Sequence, residues 1–271
     1  VFSPYYAWSG RGDPENHCAL NVALYGRRGH RWAMTERGRG SIERDASALR
    51  IGPSSMAWDG DALTVSFDEL TTPIPRRVKG KVRLYPSALP GRRFVLDPAA
   101  RHRWSPIAPC SRIEVELERP SLSWSGHGYL DSNDGDESLE AGFRHWDWAR
   151  ASFDRGRRAA LLYDVLDRDG VSHSLALQTD RSGRMDEVEP PRPVRLPRTL
   201  WLMRRRTRAD SEDGVKVSAT LEDAPFYART VLSTRLLGHQ GPAMHESLSL
   251  DRFATNWVKS LLPYRMPRRL F

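Results

Sequence analysis

Ser111-Arg112-Ile113-Glu114-Val115-Glu116-Leu117-Glu118 alternates without a break. Ile113, Val115 and Leu117 fall on one side of an extended chain and the three glutamates on the other, the period-two signature of a strand with one face buried. Working outward, Leu63 to Phe67, Val78 to Leu84, Val215 to Leu221 and Thr230 to Leu237 repeat the pattern between Gly, Pro, Asp and Asn punctuation. Ala159 to Leu177 reads as two strands around Asp169-Gly170, a strong hairpin signal. The body is therefore expected to be mainly β. Antiparallel meanders of this kind close into barrels or stack into sandwiches, because open edges invite aggregation.

One segment departs from the rule. From Ser249 onward Leu250, Phe253, Ala254, Trp257, Val258 and Leu261 recur at helical spacing, Ser249 can cap the start, and Pro263 stops the run. This short C-terminal helix is expected to pack on the body. A membrane-facing role is the alternative, since Lys259, Arg265, Arg268 and Arg269 are interleaved with Trp257, Tyr264 and Phe271. Pro190, Pro191, Pro193 and Pro197 alternate with basic residues between Glu187 and Thr199, a stiff stretch that suggests a boundary between residues 1–188 and 189–271.

The 271 residues carry a formal charge of +8 through 38 Arg and 4 Lys against 34 acids. Such a balance invites nucleic acid, an anionic membrane surface or an acidic ligand. The basic residues are spread along the whole chain without an RNA-binding or helix-turn-helix signature, which argues against nucleic acid. No run approaches the ~18 apolar residues of a spanning helix. Cys18 and Cys110 stand far apart, so neither a disulfide framework nor a cysteine zinc site is available. Walker, GxSxG and HExxH motifs are absent. Asp131 to Asp136 resembles a calcium loop at first sight, but Asp136 occupies the position that needs glycine, and Gly142 the one that needs glutamate. No metal site is expected.

Two clusters remain as candidates for chemistry. The first is His102-Arg103-Trp104. The second is Gly126-His127-Gly128-Tyr129-Leu130-Asp131-Ser132-Asn133, followed by His145-Trp146-Asp147-Trp148. In a strand Tyr129 and Asp131 share a face, as do His102 and Trp104. An aspartate desolvated among Tyr, His and Trp has a raised pKa and can act as a general acid. The alternative is a surface turn in which Asp131 and Asn133 bond backbone amides.

Longer blocks carry a resemblance. Phe2 to Trp8, Asp13-Pro14, His17 to Gly26, Trp32 to Gly38, Gly126 to Asn133, His145 to Arg150, Leu221 to Tyr227 and Leu261 to Arg268 together resemble the carotenoid 1,2-hydratases, also called hydroxyneurosporene synthases. The resemblance spans essentially the whole chain. It implies two lipocalin-like (calycin-type) antiparallel β-barrel domains, the first carrying the catalytic cluster. It also implies a cofactor-free lyase that adds water across the terminal C1=C2 double bond of an acyclic carotenoid such as neurosporene or lycopene.

The family's catalytic aspartate, two residues after a tyrosine, falls on Asp131 after Tyr129, and its supporting histidine and tryptophan fall on His102 and Trp104. On this reading Asp131 protonates C2, and the π faces of Trp104 and Tyr129 stabilise the tertiary cation at C1. His102 hydrogen-bonds Asp131 or orients the water. Trp58, His127, His17 and Trp146 are candidates for lining the substrate, against plain packing. Since such a substrate lives in a bilayer, the positive charge is expected to serve peripheral attachment to anionic lipid on the cytoplasmic side.

Overall fold

A computed structural model describes residues 3–26 and 30–269. The chain falls into two compact units, the first built from residues 1–85, 112–126 and 259–271, the second from 86–111 and 127–258. Among the described residues no helix is long and apolar enough to cross a membrane.

In the first unit β1 (Cys18–Leu24) pairs antiparallel with β2 (Arg31–Arg37). A meander follows through β3 (Ile42–Arg44), β4 (Ala48–Ile51), β5 (Ser54–Trp58), β6 (Leu63–Leu70) and β7 (Arg77–Pro86). Its core joins Leu20, Ala33, Phe67, Val78, Val115 and Leu117. Gly80 lets β7 approach its neighbour: a Cβ there would lie 2.5 Å from the Glu116 carbonyl oxygen and 2.8 Å from Leu117 Cα. Two buried acids are held in this unit. Arg37 grips Glu69 with two hydrogen bonds of 3.0 and 2.8 Å, and Ser54 adds a third of 2.6 Å. Glu36 is bonded by Ser3, His17 and Arg268.

After β8 (Phe94–Val95) come two long strands, β9 (His102–Arg119) and β10 (Leu122–Gly135), each with residues in both units. The decisive octapeptide lies in β9, with Val115 and Leu117 buried and Glu116 and Glu118 exposed, as its alternation requires. The Asp131 segment is strand as well. A surface turn at that position is thereby replaced by a residue projecting from a sheet.

The second unit is dominated by seven antiparallel strands. They are β11 (Phe143–Phe153), β12 (Arg158–Asp167), β13 (Ser172–Asp180), β14 (Met185–Glu187) and, after the ribbon of β15 (Arg192–Leu196) and β16 (Arg205–Ala209), β17 (Val215–Asp223), β18 (Tyr227–Leu236) and β19 (His239–Ser249). The sheet order is β14-β13-β12-β11-β19-β18-β17. Gly170, with φ of +86°, makes the expected turn between β12 and β13. Among the described residues this sheet does not return to its first strand, so the architecture established is mainly antiparallel β, without a closed barrel.

The proline-rich stretch does not divide the chain at 188/189. It lies inside the second unit around β15, whose one proline, Pro193, suits a two-stranded ribbon, and Leu196 from it joins a core with Ala149, Ala151, Phe153, Leu162 and Leu232. The C-terminal helix is also corrected. It is two short helices, Leu250–Phe253 and Asn256–Leu261, and only Leu250, Phe253 and Val258 of its apolar stripe are buried. Ser249 caps the first, its Oγ accepting from the Arg252 amide. The strand β20 (Arg268–Arg269) then pairs parallel with β2.

Candidate active site

β9 and β10 are sheet neighbours, and that adjacency brings the two sequence clusters together. Trp104, fully buried, donates its indole N–H to Asp131 Oδ2 at 2.8 Å. Tyr129, two residues before Asp131 on the same strand face, donates its hydroxyl to the same Oδ2 at 2.9 Å. No other side chain among the described residues bonds this carboxyl.

The electrostatics follow from the neutrality of both donors. Burial raises the Asp131 pKa, and the Trp104 and Tyr129 hydrogen bonds oppose that rise without cancelling it. Burial, reinforced by the nearby Asp131, also holds the Tyr129 hydroxyl well above the ordinary phenol value, so Tyr129 remains a donor. Because Oδ2 accepts two hydrogen bonds, the proton of the neutral acid belongs on Oδ1. Once that proton has left, the same two bonds hold the new carboxylate.

An aromatic wall surrounds the acid. Trp148 lies opposite Tyr163 in the β11–β12 register. The Tyr163 ring is 5.2 Å from Trp104 and 5.7 Å from Trp146, and Trp148 is 5.3 Å from Tyr129. Tyr163 donates its hydroxyl to Asn133 at 3.1 Å. The indole nitrogens of Trp146 and Trp148 are buried without a protein acceptor, leaving two N–H donors beside the acid's neighbours. Arg150 stands beside the wall, 5.3 Å from the Tyr129 ring, with its guanidinium bonded to the Pro109 and Gly128 carbonyls.

His102 is placed differently from expectation. Its Nε2 lies 3.3 Å from Glu137 Oε1, its ring packs 4.5 Å from Phe143, and its backbone N–H donates to Asp97 at 2.7 Å. It makes no hydrogen bond to Asp131, whose side-chain donors among the described residues are Trp104 and Tyr129. Gly142 and Gly135 fit against the imidazole, where an added Cβ would come within 2.4 and 2.9 Å of its nitrogens. The acids that follow Asp131 are tied down in turn: Arg103 bonds both Asp134 and Asp136, and Arg93 bonds Asp134.

Of the other candidates, Trp146 joins the aromatic wall. His127 is exposed and packs over Gly156. His17 and Trp58 belong to the first unit, His17 on Glu36 and half-buried Trp58 at the end of β5. Trp148 stood in the second sequence cluster without an assigned role, and Tyr163 and Glu137 were not singled out from the sequence. The alternation of Trp146 and Trp148 around Asp147 was the available signal for Trp148; Tyr163 and Glu137 arrive only through strand pairing. Among the described residues no group of three His, Cys, Asp or Glu side chains could hold a metal ion. A recess of about 700 Å³ in the first unit is rimmed by Lys79, Lys81, Glu116 and Glu118, a lining ill suited to a hydrocarbon.

Comparison with known proteins is consistent with this geometry. The model of the family described as carotenoid hydratase CrtC matches residues 1–271. An acyclic carotenoid 1,2-hydratase of Thiocapsa roseopersicina is 55% identical over 99% of this chain and 67% of its own length. Those of Rubrivivax gelatinosus and Cereibacter sphaeroides are 51% and 41% identical over 99% of this chain, covering 67% and 95% of theirs. The crystal structure of a Nitrosomonas europaea protein assigned as an AttH shares the fold, with a TM-score of 0.51 at 12% identity over 80% of this chain and 77% of that one. The chain belongs to the carotenoid hydratase CrtC family.

Proposed function

We propose that the protein is an acyclic carotenoid 1,2-hydratase in which Asp131 is the general acid. One observation carries the reading: a half-buried carboxyl whose desolvation raises its pKa, bonded on one oxygen by two neutral donors and walled by aromatic rings. An isolated trisubstituted alkene is a very weak base, so its hydration has to begin with a proton delivered in a dry site. Asp131 Oδ1 gives its proton to C2, forming a C–H bond and leaving a tertiary cation at C1. The faces of Trp104, Tyr129, Trp148 and Tyr163 stabilise that cation. Water then forms the C1–O bond, and its surplus proton returns to the Asp131 carboxylate, which Trp104 and Tyr129 have held in the interval.

The proton balance closes on this chain's own residues and water, so the reaction requires no cofactor. The indole N–H groups of Trp146 and Trp148 are the donors still open to a water oxygen. His102 acts as a positioning residue, wedged between Glu137 and Phe143 so that Trp104, two residues on, aims at Asp131. Neurosporene, lycopene and their derivatives are the substrates this chemistry fits. The antiparallel sheets of the two units are read as lipocalin-like, curving to hold such a chain without closing, and the enzyme as one attached peripherally to the anionic cytoplasmic face of a membrane.

Purified protein incubated with lycopene in detergent in heavy water tests the reading. The product is expected to gain the mass of one water and to retain one non-exchangeable deuterium at C2. Recovery of bound but unchanged lycopene would make the protein a carrier, and a product isomeric with the substrate would make it a cyclase.

A further inference from the structure

A solvent-facing tip in the second unit carries Leu200, Trp201 and Leu202 at 93, 46 and 64% exposure. Three large apolar side chains in sequence on open surface are costly in water, and they are held there by bonds on every side. The Leu202 amide donates to the Thr199 carbonyl at 2.9 Å, and Leu200 donates to Asp223 at 2.6 Å. Arg252 donates to the Trp201 and Pro225 carbonyls at 2.7 and 3.1 Å. Met203, 1% exposed, plugs the base. Trp257, itself exposed, lies 6.4 Å from Trp201 and widens the apolar patch.

The charges flanking the tip decide what covers it. Arg198 and Arg204 stand on either side, both exposed, and neither has a hydrogen bond or ion pair among the described residues. The one carboxylate bonded to the tip, Asp223, accepts from the Leu200 amide on Oδ2 and has its Oδ1 buried, away from the headgroup side. An apolar wedge with a tryptophan, bracketed by unpaired arginines, matches the boundary between anionic headgroups and acyl chains. A protein partner would need an acidic ring around an apolar pocket; a bilayer supplies both at once. The C-terminal basic residues fit this role less well, because Arg268 is bonded to Glu36 and Arg265 lies 4.2 Å over the Trp32 ring.

We infer that the Leu200-Trp201-Leu202 tip inserts into an anionic bilayer, with Arg198 and Arg204 on the headgroups, and docks the second unit on the membrane. The inference rests on the proposed hydratase reading only for its purpose, which is access to a substrate dissolved in lipid.

The test compares wild type with the combined variant Leu200→Ser, Trp201→Ser, Leu202→Ser and with Arg198→Gln, Arg204→Gln. Co-sedimentation uses vesicles of phosphatidylcholine with and without phosphatidylglycerol. Wild type should bind the anionic vesicles, the serine variant at least tenfold less, and the glutamine variant less by about fivefold per arginine. Brominated acyl chains should quench wild-type fluorescence and quench Trp201→Phe measurably less, which guards against misfolding as the cause. The serine variant should hydrate detergent-dispersed lycopene at the wild-type rate and vesicle-borne lycopene at least tenfold more slowly. Equal vesicle binding by wild type and the serine variant would overturn the inference, as would wild-type binding indifferent to phosphatidylglycerol. Tip-dependent binding without any hydrated product would overturn the hydratase reading and leave the docking surface standing.

Discussion

Asp131, half-buried, and Asp147, fully buried, are desolvated carboxyls on strands of the second unit, and their neighbours drive them in opposite directions. Asp131 meets two neutral donors, the Trp104 indole and the Tyr129 hydroxyl, and burial wins: its pKa is raised. Burial acts on Asp147 too, but His145 at 3.1 Å, with His245 and the Ser247 hydroxyl, outweighs it and the pKa is lowered. Arg206 stands 3.6 Å away and adds to the same side. Asp147 alternates with Trp146 and Trp148 along β11 and so projects from the opposite face. One strand thus separates an aromatic face beside Asp131 from a polar face built around Asp147. Desolvation acts on both, and what sets the two carboxyls apart is the partner set: an indole and a phenol at Asp131, histidines and a hydroxyl at Asp147.

The comparison can be broken by exchanging function for stability at each site. Asp131→Asn keeps the size and an acceptor for Trp104 and Tyr129 but cannot give a proton. Lycopene hydration in detergent is expected to fall by roughly a thousandfold or more, with the circular dichroism spectrum unchanged. Asp147→Asn should do the reverse. It weakens the hydrogen bonds that His145 and the Ser247 hydroxyl make to this carboxylate and costs about 1.5–3 kcal/mol in urea unfolding, while activity per folded molecule stays near wild type. Tyr129→Phe sharpens the contrast by removing one of the two bonds on Oδ2. A hydrogen bond to a charged group is worth about 1.5–3 kcal/mol, so the rate should fall by ten- to a hundredfold and the Asp131 pKa should climb further.

The smallest effect lies in the pH dependence of stability. For Asp131 the folded pKa is above the unfolded value of about 3.9, so its contribution is full in acid and is lost as pH rises through the folded pKa. For Asp147 the contribution is present above the unfolded pKa and is lost as pH falls through the lowered folded one. Thermal melts should therefore show Asp131→Asn a few degrees more stable than wild type at neutral pH and equal to it in acid. The deficit of Asp147→Asn should be greatest at neutral pH and shrink in acid.

Much of the strand content could be read from alternation, because residues that bury one face must follow the two-residue period of the pleat. The same period places Tyr129 with Asp131 and His102 with Trp104. Spacing along one strand says nothing about which residue of the next strand lies opposite. That is why Trp104 on Asp131 Oδ2, Glu137 on His102, and Tyr163 in the wall come from register and the positions of loops. The proline-rich segment misled for a related reason. Proline stiffens a linker and an edge ribbon alike, and only the burial of Val194 and Leu196 distinguishes the two. The helical stripe from Leu250 was legible, but the break at Ala254 and Thr255 was not, since neither residue is a strong helix breaker.

The central claim is that neutral partners leave the Asp131 pKa raised, the condition on which the proposed acid role depends. Titration of the Asp131 and Asp147 carboxyl carbons by NMR in the isotopically labelled protein, each assigned by its Asn variant, tests it most directly. Asp131 is predicted to titrate above an ordinary aspartate and Asp147 below it. An Asp131 carboxyl that titrates at or below the ordinary value would contradict the account.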